Sequence, residues 1–257
     1  MFEQLKGIFV YNQMLISQVR KDLRARYRGS VLGFLWSFVN PLMQLVVYTF
    51  VFSRLMKTEG NYLMYVFTAL LPWNFFASSL QNATTCIVQN AGLIKKIYFP
   101  RIVLPISAVT TNLMNFIFGL AVLFPALLIT GEKLTVFVFL LPMVIISHYI
   151  FTVGLSLILS ALYVYFRDLE HIVNIAVTMW FYLTPVLYDI KMFEGAALTA
   201  LKFNPMLHFA AAYRDVLLYG KLPNMRMFCV VSVLAVLAFI IGAALFSKLQ
   251  KDFAEQL

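Results

Sequence analysis

Residues 31–53, 60–94, 102–131, 134–166, 172–188 and 227–247 contain no Asp, Glu, Lys or Arg and are largely apolar. One bilayer crossing takes about 20 such residues. The chain is therefore built to cross a membrane several times, and only helices or closed barrels satisfy their own backbone there. Runs this long, without strict alternation, select helices. Composition agrees: 62% of residues are hydrophobic and 12% charged, against roughly 25% charged in soluble domains. The expected fold class is an all-α membrane protein, with one transmembrane domain over residues 1–257.

Local pattern divides that domain. Residues 1–30 set Leu5, Ile8, Leu15, Ile16, Val19 and Leu23 at helical spacing opposite Arg20, Arg24 and Arg28, which predicts an amphipathic interfacial helix. Spans are expected at about 31–53, 62–80, 103–129, 136–165, 172–188 and 227–246. The run 60–94 would exceed a ~30 Å hydrocarbon core as one helix. Its polar second half, from Ser78 to Asn90, places the break near residue 81, with a separate segment over 82–100. The segment 167–171 makes a tight turn, and 189–226, punctuated by Pro205 and Pro223, reads as short re-entrant helices. Segments 1–30, 81–101, 167–171 and 247–257 share one side and hold 12 of the 20 Lys and Arg, which directs both termini to the cytoplasm.

The net charge of +9 sits in the breaks between runs, not in a stripe suited to nucleic acid. Cys86 and Cys229 form no CxxC pair and are expected to be buried, reduced and inert. No cleaved signal is expected from the first residues, MFEQLKGIFVYNQ. His148, His171 and His208 stand apart without carboxylates at helical spacing, and GxSxG and HExxH are absent, so no catalytic group or metal site is expected. No Asp or Glu interrupts a span, which removes the usual site of a driving ion. Gly220-Lys221 is followed by Leu222, so no phosphate-cradling loop exists. A pump of this kind takes its energy from another subunit.

Aromatic residues make up 16% of the chain and cluster within spans: Phe34, Trp36 and Phe38; Trp73, Phe75 and Phe76; Trp180, Phe181 and Tyr182. Such rings stack on the C–H faces of sugars. They equally suit lipid contact and interfacial belts, and periodicity leaves both readings open.

The stretch Arg26-Tyr27-Arg28-Gly29-Ser30-Val31-Leu32-Gly33-Phe34-Leu35-Trp36-Ser37-Phe38-Val39-Asn40-Pro41-Leu42 resembles the opening signature of permease subunits from ATP-binding-cassette exporters of O-antigen, teichoic acid, capsule and related polysaccharides, a branch of the type-2 permeases. Leu71-Pro72-Trp73-Asn74-Phe75-Phe76, Asn90-Ala91-Gly92-Leu93-Ile94-Lys95-Lys96, Phe99-Pro100-Arg101, Tyr165-Phe166-Arg167-Asp168-Leu169, Thr184-Pro185-Val186-Leu187-Tyr188 and Asn204-Pro205 are similar to its later landmarks, in family order. The resemblance implies a homodimer of six-span subunits in the bacterial cytoplasmic membrane, joined to two cytoplasmic ATPase subunits that bind ATP and Mg. It implies export of a polyprenyl-diphosphate-linked glycan through a channel lined by aromatics, with Phe34, Trp36, Phe38, Trp73, Trp180, Phe181 and Tyr182 as candidates. Arg24, Arg26 and Arg28 suit a lipid diphosphate, whose oxygens fit guanidinium forks, or plain anchoring to anionic lipid. Lys95, Lys96, Arg101, Arg167 and Asp168 fall where a motor would grip. A type-2 exporter of a drug, lipid or other small amphiphile is the alternative reading. A secondary carrier lacks its inverted repeat and ion site here, and a membrane transferase lacks interfacial acids beyond Asp168 and Glu170.

Overall fold

The computed structural model describes residues 12–27, 30, 35–55, 62–97, 99–132 and 134–256. Every regular element among them is helical. In chain order these are α1 (Asn12–Tyr27), α2 (Trp36–Leu55), α3 (Tyr62–Gln89), α4 (Ala91–Ile94), α5 (Val103–Ile129), α6 (Leu141–Tyr165, led in by a 3₁₀ turn from Val136), α7 (Leu169–Tyr182), α8 (Gly195–Lys202), α9 (Pro205–Leu217), α10 (Met225–Leu249) and α11 (Phe253–Gln256). Among the described residues, four helical stretches are long and apolar enough to cross a membrane: Tyr62–Gln89, Val103–Ile129, Val136–Tyr165 and Met225–Asp252.

Helix α3 is the hub. It packs against α2, α5, α6, α7 and α9, and most of its length is buried. The break expected near residue 81 is absent. No Gly or Pro interrupts Leu80–Gln89, and Ser79, Ala83, Thr84 and Ile87 are buried, so packing carries the helix through its polar half. The polar residues there signal a change of surroundings, not a change of structure. At 28 residues the helix is about 42 Å long. It ends at Asn90, whose backbone N–H and Nδ2 both donate to the Cys86 carbonyl, at 3.2 and 2.8 Å. Helix α5 follows its apolar run and stops at Gly131, where φ of +83° gives the left-handed residue that closes many helices.

Within the expected span 172–188 only the first part is helical. Helix α7 starts at Leu169 and ends at Tyr182, about 21 Å of helix, and the chain continues from there in non-helical form. Pro185 has no N–H to donate and keeps Thr184 out of the helical region, so 183–188 bends back toward α3. The 189–226 segment then forms α8 and α9. Of these, α9 is deeply packed, with Met206, Phe209, Ala210, Tyr213 and Val216 almost inaccessible.

Helices α6 and α10 make the closest crossing. A methyl group on Gly242 would lie 2.3 Å from the Gly154 carbonyl oxygen, and one on Gly154 would lie 2.5 Å from the Ala238 backbone. Ser147 Oγ also donates to Ser232 Oγ across the pair at 2.9 Å. Small residues that admit close backbone contact are how helices associate where lipid competes for apolar surface. Of the cysteines, Cys86 is buried as expected, but Cys229 is exposed on the outer face of α10. Gly242→Leu should therefore force the α6–α10 crossing apart and destabilise the subunit by about 3 kcal/mol. Thermal unfolding of the detergent-solubilised permease, compared with Val233→Leu on the exposed face of α10, checks this.

Candidate functional site

The sequence landmarks converge on two hollows and a clasp. The first hollow lies where the chain leaves helical geometry after α7. Outside a helix, the carbonyls of 183–188 need partners, and side chains supply them. Asn204 Nδ2 donates to Leu183 O at 3.1 Å and to Thr184 Oγ1 at 3.0 Å. Arg214 Nη2 donates to Val186 O at 2.9 Å, Tyr62 Oη donates to Leu187 O, and Tyr65 Oη donates to Tyr188 O at 3.0 Å. Arg214 is only 5% exposed. Its Nε donates to Tyr65 O at 3.0 Å, and its guanidinium carbon sits 3.5 Å from the Tyr65 ring centroid. Its direct hydrogen bonds go to carbonyls and its planar face to a ring, and the Asp189 carboxylate lies near enough to act on it electrostatically.

Asn204 also receives Trp180 Nε1 at 2.8 Å and caps α9 by accepting from Met206 N at 3.0 Å, with Pro205 at the first helical position. Three separated landmarks, Trp180, Thr184-Pro185 and Asn204-Pro205, thus form one joint. Beside it opens a cavity of about 540 Å³ walled by Trp180, Tyr182, Tyr188, Phe193, Leu201 and Pro205. Tyr182 is exposed, and Trp180 and Phe181 are half-buried. Near the end of α9, burial pushes the Asp215 carboxyl above its usual range, opposed by its ion pair with Lys221 at 3.2 Å.

The second hollow is a cleft of about 140 Å³ between α2, α3 and α5, with Trp36 at its edge. Trp36 is 37% exposed, and its Nε1 donates to Ser30 Oγ at 2.8 Å. Within one subunit, then, Trp36 and Trp180 border different hollows. Phe38 packs on Phe118 with centroids 5.4 Å apart. Trp73 is a core residue at 4% exposure, wedged against Phe76 and Phe181 at 5.7 and 5.6 Å, so it backs the aromatic wall without reaching its surface. Phe34 lies outside the described residues.

Further along, α1 lies along α5, and its Lys21 Nζ donates to Asn90 Oδ1 at 3.2 Å, so it meets the end of α3. Arg24 is exposed on α1; Arg26 has only its backbone described, and Arg28 lies outside the described residues. Lys95 and Lys96 are exposed beside α4. Arg101 is half-buried in a clasp: Nη1 donates to Gln250 O, the guanidinium lies 6.0 Å from the Phe253 ring, and Tyr165 Oη donates to Leu249 O at 2.9 Å. Arg167 lies over Tyr163 at 5.4 Å, and Asp168 is exposed where α7 begins.

Sequence reasoning did not single out Arg214, Tyr65 or the carboxamides of the α2–α3–α5 cleft. A cation in the apolar stretch Phe209 to Leu217 was the available signal for Arg214. His148 is fully buried, with its ring 4.6 Å from that of Phe209 and Nδ1 3.4 Å from Tyr213 Oη, which suits a packing role between α6 and α9. Arg214→Met would leave the Val186 carbonyl without its donor and remove the charged bond to Tyr65 O. It should cost about 3 kcal/mol, with Arg214→Lys between the two because it keeps charge but loses the planar fork. Thermal stability of the three proteins in one detergent is the measurement.

Residues 14–218 match the ABC-2 type transporter family. The chain is 35% identical over 260 residues, covering all of both chains, to the O-antigen export system permease protein RfbA of Myxococcus xanthus. It is 35% identical over 244 residues, 94% of each chain, to the protein of that name from Klebsiella pneumoniae. Over 234 residues, 88% of this chain and 89% of the other, it is 21% identical to the polysialic acid transport protein KpsM of Escherichia coli. A match across this much of its length, on a helical bundle with several membrane-length helices, makes the chain a member of the ABC-2 type transporter family, as one of its membrane-spanning permeases.

Proposed function

We propose that this chain is the membrane subunit of an exporter that carries a lipid-linked polysaccharide, of the O-antigen type, across the bacterial cytoplasmic membrane, driven by ATP hydrolysis on separate subunits. The observation that carries the reading is the end-to-end 35% identity to a protein named as an O-antigen export permease. In this reading two copies pair, and each engages one ATP-binding-cassette ATPase that binds ATP and Mg; α2 and α7 complete six spans, and both termini are cytoplasmic. Helix α7 supports the pairing. It leaves Ile172, Ile175, Met179 and Tyr182 uncovered along one helical face, and we assign that stripe to the second copy and to the channel between copies.

The remaining roles follow the chemistry of the side chains. Trp36, Phe38, Trp180, Phe181 and Tyr182, with Phe34, offer stacking faces to sugar rings, and Trp73 holds Phe181 from behind. Arg24, Arg26 and Arg28 meet the carrier's diphosphate, where guanidinium forks are strongest. Lys95, Lys96, Arg167 and Asp168 form the grip of the ATPase, and Arg101 joins that grip to the end of α10 through its clasp.

Deleting the gene should abolish the long surface polysaccharide and leave the undecorated carrier-linked glycan inside the cell; a normal surface glycan would overturn the reading. Purified permease alone should hydrolyse no ATP, with turnover appearing only when the partner ATPase is added. Trp36→Ala and Trp180→Ala should each slow export about two- to tenfold per folded permease, the kinetic equivalent of losing one stacking surface of about 0.5–1.5 kcal/mol. Phe239→Ala serves as the α10 control, and equal normalised export in all three would remove both rings from the path.

A further inference from the structure

The α2–α3–α5 cleft has a lining that the aromatic reading leaves unused. Along α2, the lining residues Trp36, Asn40 and Gln44 recur every fourth residue; along α3, Asn74 and Ser78 of the lining do the same, and Asn82 continues the row just beyond it. Such spacing sets each trio on one helical face. The two faces meet each other and Asn112 of α5: Asn74 Nδ2 donates to Gln44 Oε1 at 3.1 Å, and Asn82 Nδ2 donates to Asn112 Oδ1 at 3.3 Å. Asn40, Gln44, Asn74, Ser78 and Asn112 lie inside the expected spans 31–53, 62–80 and 103–129, yet Asn40 and Gln44 are exposed in the single subunit.

Carboxamides at that depth do not face lipid, because hydrocarbon offers no hydrogen-bond partner and each unsatisfied group costs several kcal/mol. Polar side chains in spans instead face water-filled paths or protein. A carboxamide has two N–H donors and an oxygen with two acceptor positions, so the Asn74–Gln44 bond uses only part of either group. Among the described residues no Lys, Arg, Asp or Glu lines the cleft, so it suits a neutral ligand and not a phosphate, which calls for guanidinium or ammonium partners. Sugar hydroxyls both donate and accept, as these groups do, and the Trp36 ring at the rim supplies the apolar face that a sugar's C–H side requires. The space of about 140 Å³ equals that of four or five waters in the liquid, which fits the hydroxylated edge of one residue of a chain.

We propose that this carboxamide cleft is a hydrogen-bonding subsite for the hydroxyl groups of the transported glycan, lying on its path through the membrane. The inference rests on the export reading above and adds to it a second kind of contact, directional and polar, beside the aromatic faces.

The test uses the complete transporter in a host lacking its own copy of the permease, with surface glycan measured per unit of folded permease. Gln44→Leu and Asn74→Leu keep the volume and remove the hydrogen bonds, and export should fall about fivefold for each, as expected for the loss of roughly one net hydrogen bond. Asn74→Gln, which keeps the carboxamide, should retain most of the export, and Val233→Leu on the exposed face of α10 should retain all of it. A second arm reads hydration without the glycan. In a Cys229→Ser background, Gln44→Cys should react with a charged, water-soluble methanethiosulfonate, and Val233→Cys should not. Wild-type export by both Leu variants, or a Gln44→Cys as unreactive as Val233→Cys, would overturn the proposal. So would loss of the dimer in the Leu variants, which would assign the carboxamides to pairing between copies. If the wild-type protein exports no glycan, the export reading itself fails, and the labelling arm separates that result from failure of the cleft.

Discussion

Where lipid replaces water, every backbone group that leaves a helix must find a partner inside the protein, and the stretch 183–188 is where this chain meets that demand. Proline at 185 stops α7, and the carbonyls released there accept from Asn204, Arg214, Tyr62 and Tyr65. Two of the donors lie on α3 and two at or within α9, so satisfying the backbone also fixes the position of α9 against the central helix. The buried Arg214 cation is tolerated because carbonyl oxygens and the Tyr65 ring face replace its hydration. Without that joint, α9 would have no register on α3 and Trp180 no fixed neighbour.

The same helix α3 organises the rest of the subunit. Its first half holds the joint through Tyr62 and Tyr65, its middle turns Trp73 and Phe76 into the core, and from Asn74 on its other face presents Asn74, Ser78 and Asn82 to α2 and α5. One continuous helix thus separates an aromatic, largely apolar hollow beside Trp180 from a carboxamide cleft beside Trp36. A carried molecule with both C–H faces and hydroxyl edges would find a complementary surface in each. At the far end of α3, Asn90 ties α1 to the start of the basic segment, and Arg101, Tyr165, Gln250 and Phe253 lock three helix ends together.

Much of this was legible in the sequence because a bilayer is an exacting solvent. Uncharged runs of membrane length announced the helical class, and the run 102–131 fell close to the bounds of α5. The order of the landmark motifs announced the family. The reading failed where a local signal had two physical meanings. Polar residues from Ser78 to Asn90 suggested a break in the helix, and only the packing of Ser79, Ala83, Thr84 and Ile87 carries the helix through them. The run 172–188 had the length of a short span, yet Pro185 and the carbonyl donors on other helices decided that its last residues bend back.

What the sequence by itself determined is the solvent each segment can tolerate: which stretches suit hydrocarbon, and where the charges that do not are set between them. Those properties follow from transfer free energies, which depend on composition over a window. What only the tertiary structure decided is which side chains meet: Trp180 with Asn204, Arg214 with Val186 and Tyr65, Gln44 with Asn74, and Gly154 with Gly242. Hydrogen bonds and close packing act over about 3–4 Å, and residues separated by 24 to 149 positions reach that distance only when the bundle has brought their helices together.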